Sequence, residues 1–125
     1  MAGICMLVPN SITLAVGATN TTPANIILAA NTALNRFVRG IYVTNTTAGA
    51  LALNVGIGAA AIISATNGDV AFGLSIPANV ASYPVAQYAG QGRRALGAGS
   101  LNQIMAFGSG TGLTLTVIYA DDTLA

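Results

Sequence analysis

Residues 113–119 read Leu-Thr-Leu-Thr-Val-Ile-Tyr, and this alternation decides the fold class. Leu113, Leu115, Val117 and Tyr119 occupy every second position, and two threonines fill positions between them. In a β-strand, a period of two places alternate side chains on opposite faces. The stretch therefore predicts a strand with one face on a core and a neutral polar face turned outward.

The same period recurs along the chain. It predicts further strands over 12–16, 36–44, 50–58, 69–76 and 101–107, and a weaker one over 25–30. Asn67-Gly68 favours a tight hairpin turn between 61–66 and 69–74, because such a turn needs two positive φ angles. The expected fold is all-β, an antiparallel β-sandwich of jelly-roll-like form with seven or eight strands.

The alternation also predicts which side chains share a face. In the strand over 36–44, Phe37, Ile41 and Val43 share a face with Arg39, so we expect Arg39 at a strand end or at the edge of the core. In the strand over 69–76, a second set of alternating side chains is expected to face the core: Val70, Phe72, Leu74 and Ile76.

The length of 125 residues fits a single domain over 1–125. Two segments differ from the strand pattern. Residues 1–10 are apolar and predict an N-terminal arm that a neighbouring copy can share. Residues 83–100 are rich in glycine, contain Arg93 and Arg94, and predict a long loop.

Charge is scarce, and this excludes most enzyme chemistry. Seven side chains are charged, or 6% of the chain against about 25% in a typical domain, and there is no His, Lys, Glu or Trp. The common general base and metal ligand is therefore missing. Asp121 and Asp122 are adjacent on a predicted strand and point to opposite faces. We expect no enzymatic activity, no cofactor, no metal and no small-molecule substrate.

The same counts argue against two classes of partner. Four arginines in three separate places do not form the basic patch that nucleic-acid binding requires. No stretch approaches about 20 continuous apolar residues, so no membrane partner is expected. Cys5 is the single cysteine, which excludes an intrachain disulfide, and its apolar neighbours predict a small buried hydrophobe.

The outward strand positions carry Ala, Thr, Gly and Ser, where a free monomer normally keeps Lys or Glu. Such faces pack against other protein at little desolvation cost, which predicts a homo-oligomer. Arg93 and Arg94 form either an interface anchor or a solvated loop tip. The candidate interface residues are Arg93, Arg94, Ile4, Met6 and Leu7.

Four stretches resemble small β-sandwich virion proteins of tailed bacteriophages, over roughly residues 36–120. They are Val38–Thr47 with its Val-Thr-Asn-Thr-Thr turn, Leu51–Gly58, Leu74–Asn79 with its Ile-Pro-Ala-Asn turn, and Leu113–Tyr119. The resemblance implies a structural role at the capsid surface, as a head decoration (cement) protein. It also implies self-association, often as a homotrimer, contact with the major capsid protein, and no catalytic residues.

A tail or fibre module that recognises a host receptor or a glycan is the alternative. Sugar sites commonly combine exposed aromatic rings with polar side chains. One cluster offers both: Tyr83, Gln87, Tyr88 and Gln91.

Overall fold

The computed structural model describes residues 10–20, 25–29, 31–57, 63, 70–87, 94–99 and 103–122. These residues contain β-strands and no helix, which confirms the all-β prediction. None of the described residues forms a helix long and apolar enough to cross a membrane. Nine strands lie within the described residues: β1 (Asn10–Val16), β2 (Ile26–Leu28), β3 (Asn31–Asn45), β4 (Leu51–Ile57), β5 (Ala71–Ile76), β6 (Val80–Gln87), β7 (Arg94–Gly99), β8 (Ile104–Gly108) and β9 (Leu113–Asp122).

The strands form two antiparallel sheets. The first sheet has the order β1-β9-β3-β6, with β7 also paired to β3, and the second has the order β2-β8-β4-β5. At the edges β1 lies near β2, and β5 lies near β6. A single cluster of buried apolar side chains draws on both sheets, including Val38, Ile41 and Leu115 from the first and Leu53 and Ile104 from the second. Burial of this cluster is the main force that holds the two sheets together.

Strands β6 and β7 lie end to end along the same edge of β3. Gln87 of β6 pairs with Gly40, and Arg94 of β7 pairs with Val38, only two positions away. The two strands therefore occupy one position in the sheet, which leaves eight strand positions in all.

The prediction of a long loop over 83–100 is wrong at both ends of that segment, because β6 extends to Gln87 and β7 spans Arg94–Gly99. Neither strand shows alternation, and β6 contains Pro84. An edge strand tolerates a proline, since one side of its backbone needs no partner. These two strands are stabilised by backbone hydrogen bonds to β3, and the local sequence does not indicate this pairing. Residues 88–93 lie outside the described residues.

A β-bulge in β3 reverses the predicted face of its first half. Val38 pairs with Tyr119 and Gly40 with Ile118, so Arg39 is an extra residue on this strand. Beyond the bulge, Ile41 and Val43 are fully buried as predicted, but before it Val38 takes the core position. The prediction that Phe37 and Arg39 share the face of Ile41 is therefore wrong.

A second bulge, in β5, likewise changes which side chains face the core. Leu53 pairs with Leu74 and Val55 with Ala71, so Phe72 and Gly73 together oppose one residue of β4. Gly73 adopts a φ of 70°, a left-handed conformation that glycine takes without strain. The bulge turns Phe72 outward, where it is 51% exposed, which makes its predicted core position wrong. Ile76 is fully buried, as predicted.

The other strand predictions fare better. The predicted stretches 12–16, 25–30, 50–58, 101–107 and 113–119 correspond to β1, β2, β4, β8 and β9, and 36–44 lies within the longer β3. The Asn67-Gly68 hairpin lies outside the described residues, and so does the predicted arm over residues 1–10 except for Asn10, which begins β1.

Candidate functional site

The first sheet presents a neutral surface on the side away from the core. The pairing of β1, β9 and β3 shows which side chains belong to this surface, since Thr13 pairs with Thr116 and Thr116 pairs with Tyr42. Thr13 Oγ1 and Thr116 Oγ1 lie 3.0 Å apart and share a hydrogen bond. We call the following eight residues the outer face: Ser11, Thr13, Ala15, Tyr42, Thr44, Thr114, Thr116 and Ile118. None of them carries a charge.

Tyr42 is the large aromatic side chain of this face. A Cβ atom on Gly40 would come within 2.8 Å of its ring, so the ring lies against the backbone at Gly40. Its hydroxyl accepts a 3.4 Å hydrogen bond from Gln87 Nε2. Pro84 pairs with Tyr42 on the neighbouring strand. Tyr42 and Gln87 therefore lie side by side as an aromatic and amide pair. Sequence reasoning missed this pair because it depends on the pairing of β3 with β6.

Arg39 is half-buried and is the extra residue of the bulge in β3. Arg36 is buried, with 4% of its surface exposed. Its Nη1 donates a 2.7 Å hydrogen bond to the carbonyl of Ala29, and its guanidinium lies 5.0 Å from the centroid of the Tyr119 ring. These contacts tie the β2–β3 connection to β9, a structural role for a side chain that the alternation did not single out.

One end of the molecule is fixed by Asn45, which is 1% exposed. Its Nδ2 lies within hydrogen-bond distance of three carbonyl oxygens, those of Gly49 at 3.1 Å, Pro77 at 3.0 Å and Ile76 at 3.3 Å. Its Oδ1 accepts from the backbone N–H of Thr47 at 2.9 Å and from Thr47 Oγ1 at 2.7 Å. One amide therefore joins the β3–β4 loop to the β5–β6 turn.

The β8–β9 loop joins the same end. The backbone N–H of Thr46 donates to the carbonyl of Gly112 at 3.2 Å, and that of Asn79 donates to the carbonyl of Thr47 at 3.0 Å. Asn79 has a φ of 52°, a conformation that asparagine tolerates better than most residues. The two turn motifs quoted above, around Asn45 and around Pro77, thus meet in space as one hydrogen-bonded unit.

The second sheet is covered on its outer side at Met105. Met105 pairs with Gly56, so it points away from the core, yet it is only 1% exposed. Ile63 is also buried and lies outside the core cluster. Asn20 holds it through two hydrogen bonds, donating from Nδ2 to the carbonyl of Ile63 at 2.8 Å and accepting at Oδ1 from its N–H at 2.9 Å. The open neutral face therefore belongs to the first sheet.

The interface residues expected from the sequence are only partly placed. Arg94 begins β7, and its backbone pairs with Val38, at the edge of the first sheet. The remaining four candidates lie outside the described residues: Ile4, Met6, Leu7 and Arg93. Cys5 lies outside them as well.

The expected sugar-binding cluster is likewise divided. Tyr83 is half-buried and packs against the core, whereas Gln87 is exposed. Tyr88 and Gln91 lie outside the described residues. Among the described residues, no group of three His, Cys, Asp or Glu side chains is placed to hold a metal ion.

The chain matches no protein-family model, no curated protein and no solved structure.

Proposed function

We propose that this protein is a structural component of a bacteriophage virion, a non-enzymatic decoration (cement) protein of the capsid surface. In this role it associates with copies of itself, as a homotrimer, and binds the major capsid protein. The observation that carries the proposal is the outer face, where eight neighbouring side chains without a charge lie on one side of a sheet, three of them exposed and five half-buried. Threonine and alanine can be covered by another protein at little cost, whereas a bare charge cannot.

The strand pairing supports a jelly-roll form of the β-sandwich. With β6 and β7 taken as one position, pairing is nested. β1 pairs with β9, β2 with β8, β3 with β6 and β7, and β4 with β5. This is the pairing of one long hairpin wound into two sheets. We propose that the sheets are the two layers of a jelly roll, an architecture shared by viral capsid proteins, lectins and cupins.

The fixed loop end supports a structural role in a second way. Asn45 bonds to backbone groups of the β3–β4 loop and of the β5–β6 turn, which restrains both connections. A rigid module loses little conformational entropy when it docks. Such a surface suits permanent contact with a capsid better than a reaction that requires moving loops.

Virions that lack the protein test the proposal. We expect their heads to rupture at a lower temperature, while adsorption to host cells stays normal, and added purified protein to restore heat resistance. Heads that remain as stable as the complete virion, together with lost adsorption, would overturn the capsid role.

The second candidate function is recognition of a host receptor or glycan by a tail or fibre. One observation favours it, the hydrogen-bonded pair of Tyr42, on the outer face, and Gln87, on the neighbouring strand. An aromatic ring beside an amide is a common arrangement for stacking and hydrogen bonding to a sugar, and lectins also use the jelly roll. Binding on a glycan array that is lost in Tyr42→Ala and retained in Tyr83→Ala would favour this function over the capsid role.

A further inference from the structure

Strand β1 forms an open edge of the first sheet. All seven of its residues, Asn10 to Val16, pair in unbroken register with β9. Within the described residues no other strand pairs with β1, so its second side presents free backbone donors and acceptors. Its sequence, Asn-Ser-Ile-Thr-Leu-Ala-Val, contains no charge and no proline. A regular, uncharged edge of this kind is a template for another strand.

The other edges are each interrupted. β2 has three residues and a register shift. β5 contains the bulge at Phe72 and Gly73. β6 contains Pro84, two register shifts in its pairing with β3, and a positive φ of 49° at Ser82. Proteins protect exposed edges by such devices. β7, on the same edge as β6, has two register shifts in its pairing with β3. Among the described strands, β1 is therefore the edge without such an interruption.

Leu14 shows that β1 has an incomplete apolar neighbourhood. It pairs with the fully buried Leu115, so it lies on the core side of the sheet, yet it is 42% exposed. Ile12 and Val16, two positions away on either side, both pack in the core. A strand added beyond β1 would cover Leu14 on its open side.

We propose that β1 pairs antiparallel with β1 of a second copy, about a two-fold axis that passes through Thr13. This register pairs all seven residues and sets Leu14 opposite Ile12 of the second copy. The core-facing side chains of the two copies must lie on the same side of the joined sheet. The two-fold axis therefore passes through a residue, and alternative registers place it at Ile12 or at Leu14. An axis at Ile12 would bring Pro9 into the ladder, and an axis at Leu14 would pair fewer residues of β1.

The second copy is the fitting occupant because the edge is complementary to itself. With no charge on β1, two copies approach without like-charge repulsion. The pairing also sets the two outer faces side by side as one neutral surface. The contact is isologous and yields dimers, so a trimer uses a different surface. The inference rests on the self-association in the proposed function and adds a two-fold contact between copies to the separate contact that forms the trimer.

Engineered cysteines test the register in the full chain, with Cys5→Ser as the background. Thr13→Cys should form an intermolecular disulfide under mild oxidation, since the two Thr13 residues face each other across the axis. Ser11→Cys and Ala15→Cys should not cross-link alone but should do so when mixed, because position 11 faces position 15 of the second copy. Failure of Thr13→Cys, or equal cross-linking by all three single variants, would overturn the proposal.

A charged residue introduced into β1 tests the proposed β1 pairing without a cross-link. Leu14→Lys should shift the protein towards lower mass at unchanged circular dichroism. Phe72→Lys, at the other large apolar side chain that is exposed among the described residues, should not. If removal of residues 1–9 abolishes association and Leu14→Lys does not, the arm is the occupant and β1 pairing is wrong. An oligomer without β1 cross-links leaves the proposed function standing, and a wild-type monomer contradicts its self-association.

Discussion

Two buried polar side chains form hydrogen bonds to backbone carbonyls that hydrophobic residues could not form. Arg36 and Asn45 are 4% and 1% exposed, and each bonds to backbone carbonyls of a neighbouring connection. A buried carbonyl without a partner costs about 1–3 kcal/mol. These residues therefore stabilise loops that the apolar core does not reach.

Asn45→Ala should lower the free energy of unfolding by about 2–4 kcal/mol, because it leaves three carbonyls and the Thr47 N–H without this amide. Chemical denaturation measures the loss. Asn10→Ala is the matched control at an exposed asparagine and should change stability by about 0.5 kcal/mol at most. An equal loss in the two variants would show that the amide does not hold this end together.

At the scale of the strands, two bulges determine which side chains reach the core. In each, a residue that points outward precedes a glycine, Arg39 before Gly40 and Phe72 before Gly73. The bulges bend β3 and β5 and change the phase of the alternation. They place Arg39 and Phe72 on the surface and bring Arg36 into the interior.

Gly73→Ala should lower the free energy of unfolding by about 1–2 kcal/mol, since alanine is strained at a φ of 70° although open space surrounds the position. Gly49→Ala is the matched control. Open space surrounds that position too, and its φ lies outside the left-handed range. It should leave stability unchanged or slightly raised. Thermal unfolding of both variants checks this, and equal midpoints would contradict the strain at Gly73.

The sequence was sufficient to predict the strands that alternate cleanly. β4 and β9 keep a strict period of two, and their core residues lie where the pattern places them. In β1 the same holds for Ile12 and Val16, whereas Leu14 lies on the core side but is 42% exposed. β6 and β7 could not be predicted, because small residues, glycines and Pro84 hide any period and pairing with β3 creates them. The phase errors at Phe37 and Phe72 arose because an extra residue is not visible in a periodic pattern. Glycine within an apolar strand was the available signal.

The uncharged character of the candidate site could be predicted from the sequence, but the spatial arrangement of its residues could not. Thr114 and Thr116 lie on the outward side, as the alternation implies. The pair of Tyr42 and Gln87 and the open edge of β1 depend on which strands are neighbours, a property of long-range pairing. No local pattern contains that information.

At the scale of the whole molecule, the sequence-based hypothesis that Arg93 and Arg94 contribute to assembly can be tested by mutation. The double variant Arg93→Ala with Arg94→Ala should keep the fold and weaken association, because arginine at an interface forms several directed hydrogen bonds. Circular dichroism reports the fold, and sedimentation reports the association. A double variant that fails to fold would make this segment structural and remove the two arginines from the interface.

The same scale contains the central claim, that this neutral β-fold is a protomer whose surroundings are largely other protein. The mass of the purified protein in solution tests the claim most directly. We predict a stable homo-oligomer at micromolar concentration, with a mass that is a multiple of the 12.4 kDa chain. A stable monomer at that concentration would contradict it.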